Sequence, residues 1–344
     1  MSADIRISEY AHDHVILVLD TPDFENPPAW LSDNFNIIEG GTHAGGSSRN
    51  KLIVFADGTY IELLNWISEP KEFFDWAGKP PGLIDFALTT PQSAQETHAA
   101  ATKRLESSPS PSDEQGADAG VGDGGLGVRF KQPLFGGRRR KDGQQVEWYV
   151  TKPAFDNEAP NVGRPADRFF PTGRLDTPFF CHDVTDRLLR VPYKDPSIST
   201  HPCGAKAILS VLVLVPDTQI DNYAALYAAV TGARPSVHPG HRDKPTTTRA
   251  IFHLSAPDPE ADVAKALNLT GRVGIELRGP RDGRDEDWLK RRGVGIAELR
   301  LLVPAEGGRE SEDKVEVEVD TRPLDTEGIG ASVVLVVEPP AFLS

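Results

Sequence analysis

The sequence predicts an α+β chain built from repeated βαβββ blocks. Three observations carry this reading. Short apolar, β-favouring runs recur at 11–20, 51–56 and 59–66, and Asp57-Gly58 between the last two is a hairpin signal. A similar order of runs restarts at Leu83 and ends in a strand at Thr177–Val184. A third block opens at Ala207-Ile208-Leu209-Ser210-Val211-Leu212-Val213.

The elements of the first block follow from residue type. Residues 11–20 read as a strand. Pro27 to Phe35 reads as a short helix, with proline tolerated in its first turn. Asn36 to Glu39 is extended, and a glycine-rich loop covers 40–48. Lys51–Ala56 and Thr59–Trp66 form the hairpin. In the second block Leu83–Thr90 is a strand. Ser93 to Glu106 is a helix, with Ser93 as N-cap and Glu96 in capping-box position. Strands follow at Val128–Leu134 and Gln145–Thr151, joined across Arg138–Gly143. The third block has a helix at Ile220–Val230 and strands at Arg249–Leu254 and Arg272–Leu277. A partial fourth starts at Gly295 and closes with Ser332–Glu338. Two units are predicted: 11–190, with a Ser/Pro/Asp/Gly insert at about 107–125 expected to be disordered, and 205–340, with an acidic insert at about 305–330.

Composition narrows the function classes. A chain of 344 residues exceeds one small core, so paired compact units are the prior. The net charge of −14 argues against nucleic acid or an anionic membrane as partner, since both call for a basic surface. No apolar stretch approaches the ~20 residues of a spanning helix. The first residues carry no secretory pattern. Two cysteines, Cys181 and Cys203, make no disulfide framework and suit a reducing cytosol. The expectation is a cytoplasmic protein, monomer or homodimer, acting on a small molecule.

The chemistry concentrates on His14 and Glu62. Each lies mid-run in an apolar strand, costly ground for a polar group without a partner. Side chains alternate along a strand, so His14, Ile16 and Val18 share one face, and Tyr60, Glu62 and Leu64 share another. Asp85 and His182 recur in comparable downstream runs.

On these residues the chain resembles the vicinal oxygen chelate superfamily, in its glyoxalase-like branch. The match is carried by Asp13-His14-Val15, by Gly40-Gly41-x-His43 with Asn50, and by Leu52 to Leu63 with Asp57-Gly58-Thr59-Tyr60-Ile61-Glu62 inside it. Arg138–Gly143 before Trp148 and His201-Pro202-x-Gly204-Ala205 add to it. The resemblance implies open, cupped mixed sheets with a divalent metal (Fe, Zn, Mn, Ni or Co) in the cup. Carried over by position, the ligands are His14, Glu62, His182 and Asp85. Two His and a carboxylate with open positions suit oxygen-activating iron or a Lewis-acid site. The later blocks carry Ser210 in the place of His14, so one metal site is expected, in the first half.

Glu62 and His43 are the candidate catalytic groups, Glu62 as a base titrating high. Asn50, Arg49, Arg139 and His201 are candidate substrate contacts. Bland readings compete with each. A lone strand histidine is usually a hydrogen-bonded structural residue, Asp85 can merely orient a ligand, and an arginine run is often a solvated face. A register slip of one residue at His182 would turn its side chain away. The sequence therefore points to a metal-dependent isomerase, lyase or dioxygenase. The alternative is a non-catalytic protein of the same fold that sequesters small molecules.

Overall fold

The structure, a computed structural model, describes residues 6–69, 76, 79–107, 126–155, 176–238, 247–305, 320–326 and 328–338. The expected inserts fall largely outside these: 108–125 and 306–319 lie beyond the described residues. In the first half the strands are β1 (Ala11–Val18), β2 (Ile38–His43), β3 (Ser48–Val54), β4 (Tyr60–Trp66), β5 (Gly82–Thr89), β6 (Val128–Phe130), β7 (Leu134–Arg139), β8 (Gln145–Thr151), β9 (Pro153–Phe155) and β10 (Phe179–Asp183). The second half has β11 (Ala207–Leu214), β12 (Ser236–His238), β13 (Arg249–His253), β14 (Gly274–Arg278), β15 (Gly295–Pro304), β16 (Asp320–Pro323) and β17 (Ser332–Glu338).

The architecture is mixed α+β and strand-rich, as expected. In the first half the order β1-β4-β3-β2-β7-β8-β10-β5 closes on itself. Closure at β2–β7 rests on two pairs, Thr42 with Arg139 and His43 with Arg138. In the second half the strands form an open sheet, β12-β13-β14-β11-β15-β17-β16.

Strand β1 is buried on both faces, which explains its unbroken apolar run. Ile16 and Val18 join Leu64, Ala87, Val150, Phe179 and Cys181 inside the barrel. Val15 and Leu17 join Ile61, Leu63, Phe86 and Phe180 in the larger core that continues into the second half. The Asp57-Gly58 turn forms with Gly58 at φ +91°, a region that favours glycine. Its Asp57 Oδ1 accepts from both the Thr59 backbone N–H and hydroxyl. The helix Ala94–Glu106 carries the full Ser93/Glu96 capping box and packs on the helix Ile220–Thr231, tying the halves together. The expected helix at 27–35 is shorter, Ala29–Ser32 behind Pro28, and a separate helix that was not expected, Thr21–Glu25, precedes it behind its Asp20 cap. Strand β7 also runs further than its sequence suggests, through Arg138 and Arg139, with the turn held back to 140–144. No helix among the described residues is long and apolar enough to cross a membrane.

Candidate functional site

The barrel interior opens into a cavity of about 100 Å³. His14, Glu62, His43 and Asn50 meet there, one from each of four neighbouring strands. Alternation along β1, β4, β3 and β2 brings each side chain to the same wall. His14 Nε2 lies 3.5 Å from Glu62 Oε2, and His43 Nε2 lies 3.4 Å from Glu62 Oε1. Asn50 Nδ2 donates to Glu62 Oε1 at 2.7 Å.

The tautomer of His14 is set from behind. Its Nδ1 lies 2.6 Å from Asp13 Oδ1. Asp13 in turn receives Arg190 on both oxygens and Arg187 on one. Burial would raise the Asp13 carboxyl, but these two guanidiniums hold it well below the usual range. An ionised Asp13 can only accept, so Nδ1 carries a proton and Nε2 faces the cavity, where the neutral ring offers a lone pair. A carboxylate fixing a ligand histidine in this way recurs around metal ions.

His43 has two proton arrangements. Its Nδ1 meets Ser48 Oγ at 2.8 Å, and its Nε2 lies 3.3 Å from Asn50 Nδ2. Neutral His43 accepts from Asn50, whereas protonated His43 donates to Glu62. Burial pushes Glu62 up, but the His43 ring and then the His14 ring, each in its protonated form, and the Asn50 amide outweigh it and bring the carboxyl down to about 2. Glu62 is thus ionised at neutral pH. It is a poor base and a good anionic ligand, unlike the high-titrating base the sequence suggested.

The remaining expected residues lie elsewhere. Phe179 and Cys181 on β10 line the cavity, so His182 faces outward, where its Nε2 meets Thr97 Oγ1 at 3.0 Å. The pairing explains the shift. In the antiparallel β1–β5 pair, Val15 faces Phe86, flanked by His14 with Ala87 and Ile16 with Asp85. A two-fold through that centre relates His14 to Asp85 and Ile16 to Ala87. Since Ile16 stands opposite Glu62 and Ala87 opposite Phe179, Phe179 takes the place expected for His182. Asp85 is occupied: Trp76 Nε1 donates to Oδ2 at 2.6 Å, and Lys152 Nζ stands 3.6 Å away. It does not line the cavity.

Arg49 sits on the outer face of β3, paired with Glu25 and bonded to Asn65. Arg139 is exposed, with Nε donating to the Gly143 carbonyl, while its neighbour Arg138 faces in. His201 is structural. Nδ1 accepts from the Asn36 N–H, and Nε2 donates to the Val54 carbonyl. Burial lowers this imidazole to about 4. In the second half Glu276 is held by Arg300 at 2.9 Å, with Ser210 across the sheet in place of a histidine.

Sequence reasoning missed the roles of Asp13, Arg190 and Cys181, and weighed the run Arg138–Arg140 as an anion contact without telling Arg138 from its neighbours. The first two are 177 positions apart, a contact that no local pattern marks. Asp13, His14 and Cys181 form the one His/Cys/Asp/Glu group of metal-holding compactness among the described residues, with ligand atoms within 4.8 Å. Asp13 is committed to its arginines. Burial raises the Cys181 thiol well above its usual range, so it is protonated without a bound cation. The donor chemistry fits a divalent cation: the His14 Nε2 lone pair and the Glu62 carboxylate, with His43 and Cys181 on the same cavity wall.

Residues 12–231, more than half of the chain, match the glyoxalase-like domain family, and the chain belongs to that family. Its paired βαβββ cup is that of the vicinal oxygen chelate superfamily. Among solved structures, a hypothetical protein from Staphylococcus aureus is 14% identical, with a TM-score of 0.51, covering 96% of this chain and 100% of that one. BphC, a halotolerant catechol dioxygenase, is 8% identical with a TM-score of 0.45, covering 98% and 89%. Methylmalonyl-CoA epimerase from Mycobacterium tuberculosis is 17% identical with a TM-score of 0.27, covering 40% and 91%. No curated protein matches the chain.

Proposed function

We propose that the barrel cavity is the active site of a divalent-metal-dependent enzyme acting on a small oxygenated organic molecule. The observation that carries it is the Asp13–His14 pair, which leaves the His14 Nε2 lone pair 3.5 Å from an ionised Glu62. That separation is long for a hydrogen bond and suits two donors sharing one ion. His14 and Glu62 would hold the cation, with His43 completing a two-His-one-carboxylate set. A bound metal would supply Lewis acidity to a coordinated oxygen.

The chain's own residues do the rest. Asp13 and Arg190 fix the His14 ring, which also stacks on Tyr60 at 4.7 Å. Asn50 fixes the Glu62 carboxylate. His43 Nε2, if not coordinated, is placed to take or give a proton, because Ser48 serves its other nitrogen. Phe179, Trp148 and Val150 keep the cavity wall apolar and strengthen electrostatic interactions inside it. Isomerase, lyase and ring-cleaving dioxygenase chemistry all use such a centre, and the fold does not choose among them.

Elemental analysis of the purified protein tests this reading. Near-stoichiometric divalent metal is expected, lost in His14→Ala and in Glu62→Ala and retained in His182→Ala. A metal-free wild type that binds none of the five cations on addition would sink the proposal and favour a sequestering protein. If the metal is iron, oxygen uptake with catechols separates a dioxygenase from an isomerase.

A further inference from the structure

Arg138 is a buried cation that no carboxylate among the described residues touches. It is 3% exposed, lines the cavity, and belongs to the strand pair that closes the barrel, directly across from His43. Among the described residues its one hydrogen bond runs from NH2 to the Arg190 carbonyl at 3.3 Å. Among the described residues no carboxylate oxygen lies within 4.0 Å of it. Arg190 beside it shows the opposite condition, with Asp13, Asp183 and the Tyr60 hydroxyl all on its guanidinium. Glu62 acts on Arg138 only at longer range, and Asn50 already holds its Oε1.

A desolvated guanidinium is costly unless it is paired. Burial lowers the Arg138 pKa, yet an arginine stays charged throughout the range in which proteins work. Glu62 is the nearby anion, and with its Oε1 held by Asn50 it leaves the Arg138 guanidinium without a direct carboxylate partner among the described residues. The fork of a guanidinium matches a carboxylate by two parallel hydrogen bonds. Around it the walls are apolar, with Trp148 and Val150 within the cavity and Leu134 and Phe135 half-exposed at its rim.

From this unpaired cation in an apolar-walled cavity, we infer that the site takes a monoanionic organic acid, its carboxylate on Arg138 and its apolar body against Trp148. The inference rests on the cavity being the ligand site, as proposed above, and adds the class of substrate. A carboxylate matches the one unpaired guanidinium fork, whereas the second charge of a phosphate dianion would face Glu62 across a cavity of about 100 Å³. It also gives the arginine run a role the turn alone does not require: Arg138 reads the ligand and Arg139 stays in solvent.

The test is direct binding to the full-length protein by calorimetry and by quenching of Trp148 fluorescence. The probes are acetate, pyruvate, benzoate and phenylpyruvate, each of the aromatic acids set against its neutral amide, with inorganic phosphate as a separate arm. At least one acid is expected to bind more tightly than its amide, with affinity reduced about tenfold or more in Arg138→Gln. Arg138→Lys should bind at an intermediate level, because it keeps the charge and loses the fork. Arg139→Gln should bind as wild type does. Wild-type acid-against-amide preference needs no variant, so a poorly folding Arg138→Gln leaves the test intact. Equal binding of acids and amides, or unchanged affinity in a folded Arg138→Gln, overturns the inference. Tighter binding of phosphate than of every carboxylate overturns the assignment to organic acids. Repeating the titrations in chelator and on His14→Ala separates this question from the metal: acid preference that survives both supports the Arg138 site even if no metal is found.

Discussion

Asp13 Oδ1 lies 2.6 Å from His14 Nδ1 while Arg190 donates to both oxygens of the same carboxylate. One buried anion thus sets the histidine's tautomer and, together with Asp183, balances two arginines from a helix 174 and 177 residues away in the chain. Asp13→Asn keeps the shape and removes the charge. It leaves Asp183 alone to pair with Arg190 and Arg187 and is expected to cost at most about 3–5 kcal/mol, the usual penalty for breaking a buried pair from one side. Metal affinity should fall about 10–100-fold, as for other partners that orient a ligand histidine. Urea midpoints and metal titrations check both. A variant of wild-type stability would show that the arginines find another anion.

His182→Gln separates the outward histidine from the cavity. Its side chain bonds Thr97 on the helix Ala94–Glu106, so the expected change is a stability loss of about 1 kcal/mol, with metal content and substrate kinetics unaltered. Loss of metal in this variant, with the fold intact, would restore His182 to the site and refute the assigned face of β10.

Gly40→Ala probes the glycine-rich strand. A Cβ at Gly40 would stand 2.0 Å from Asn50 Oδ1 and 2.8 Å from the Asn50 carbonyl. The amide that holds Glu62 must move. The expected result is a drop in metal affinity and turnover larger than the loss of stability, because the disturbance is aimed at Glu62 Oε1. Equal losses in both would make Gly40 a packing residue only.

The cavity was half legible in the sequence, and the division is physical. His14, Glu62, His43 and Asn50 sit in strands whose facing follows from alternation within one continuous, hairpin-linked block. The second block is broken by long connections, so nothing local set the register of β10. Phe180 packs outward on Tyr10 and Phe130, and that contact turns Cys181 in and His182 out. Arg138 and Arg139 differ in the same way, since strand pairing alone tells neighbours on one strand apart. Asp13 and Arg190 meet only in the folded chain. Their helix Arg187–Arg190 follows a strand end that carried no distinctive pattern.

Stability against pH should reflect four buried groups with opposing signs. Burial first lowers His12, His182 and His201 to about 4. Each takes up a proton on unfolding at pH values between about 4 and its ordinary 6.5, so each contributes stability above 6.5 that is lost on acidification. Asp57 behaves oppositely. Burial raises it to about 7, so it favours the folded state at low pH, and that contribution disappears as pH rises from its ordinary value through 7. Three groups against one give a net loss of roughly 2–3 kcal/mol per pH unit near pH 5, before discounting for relaxation. Asp57→Asn removes the opposing member while keeping the Oδ1 acceptor for Thr59. Urea unfolding from pH 4.5 to 8 should show a steeper acid slope in the variant (each of these pH values approximate) and a stability gain over wild type that grows toward the alkaline end. A gain confined to acid pH would mean that Asp57 is ionised throughout, with a partner other than the proton.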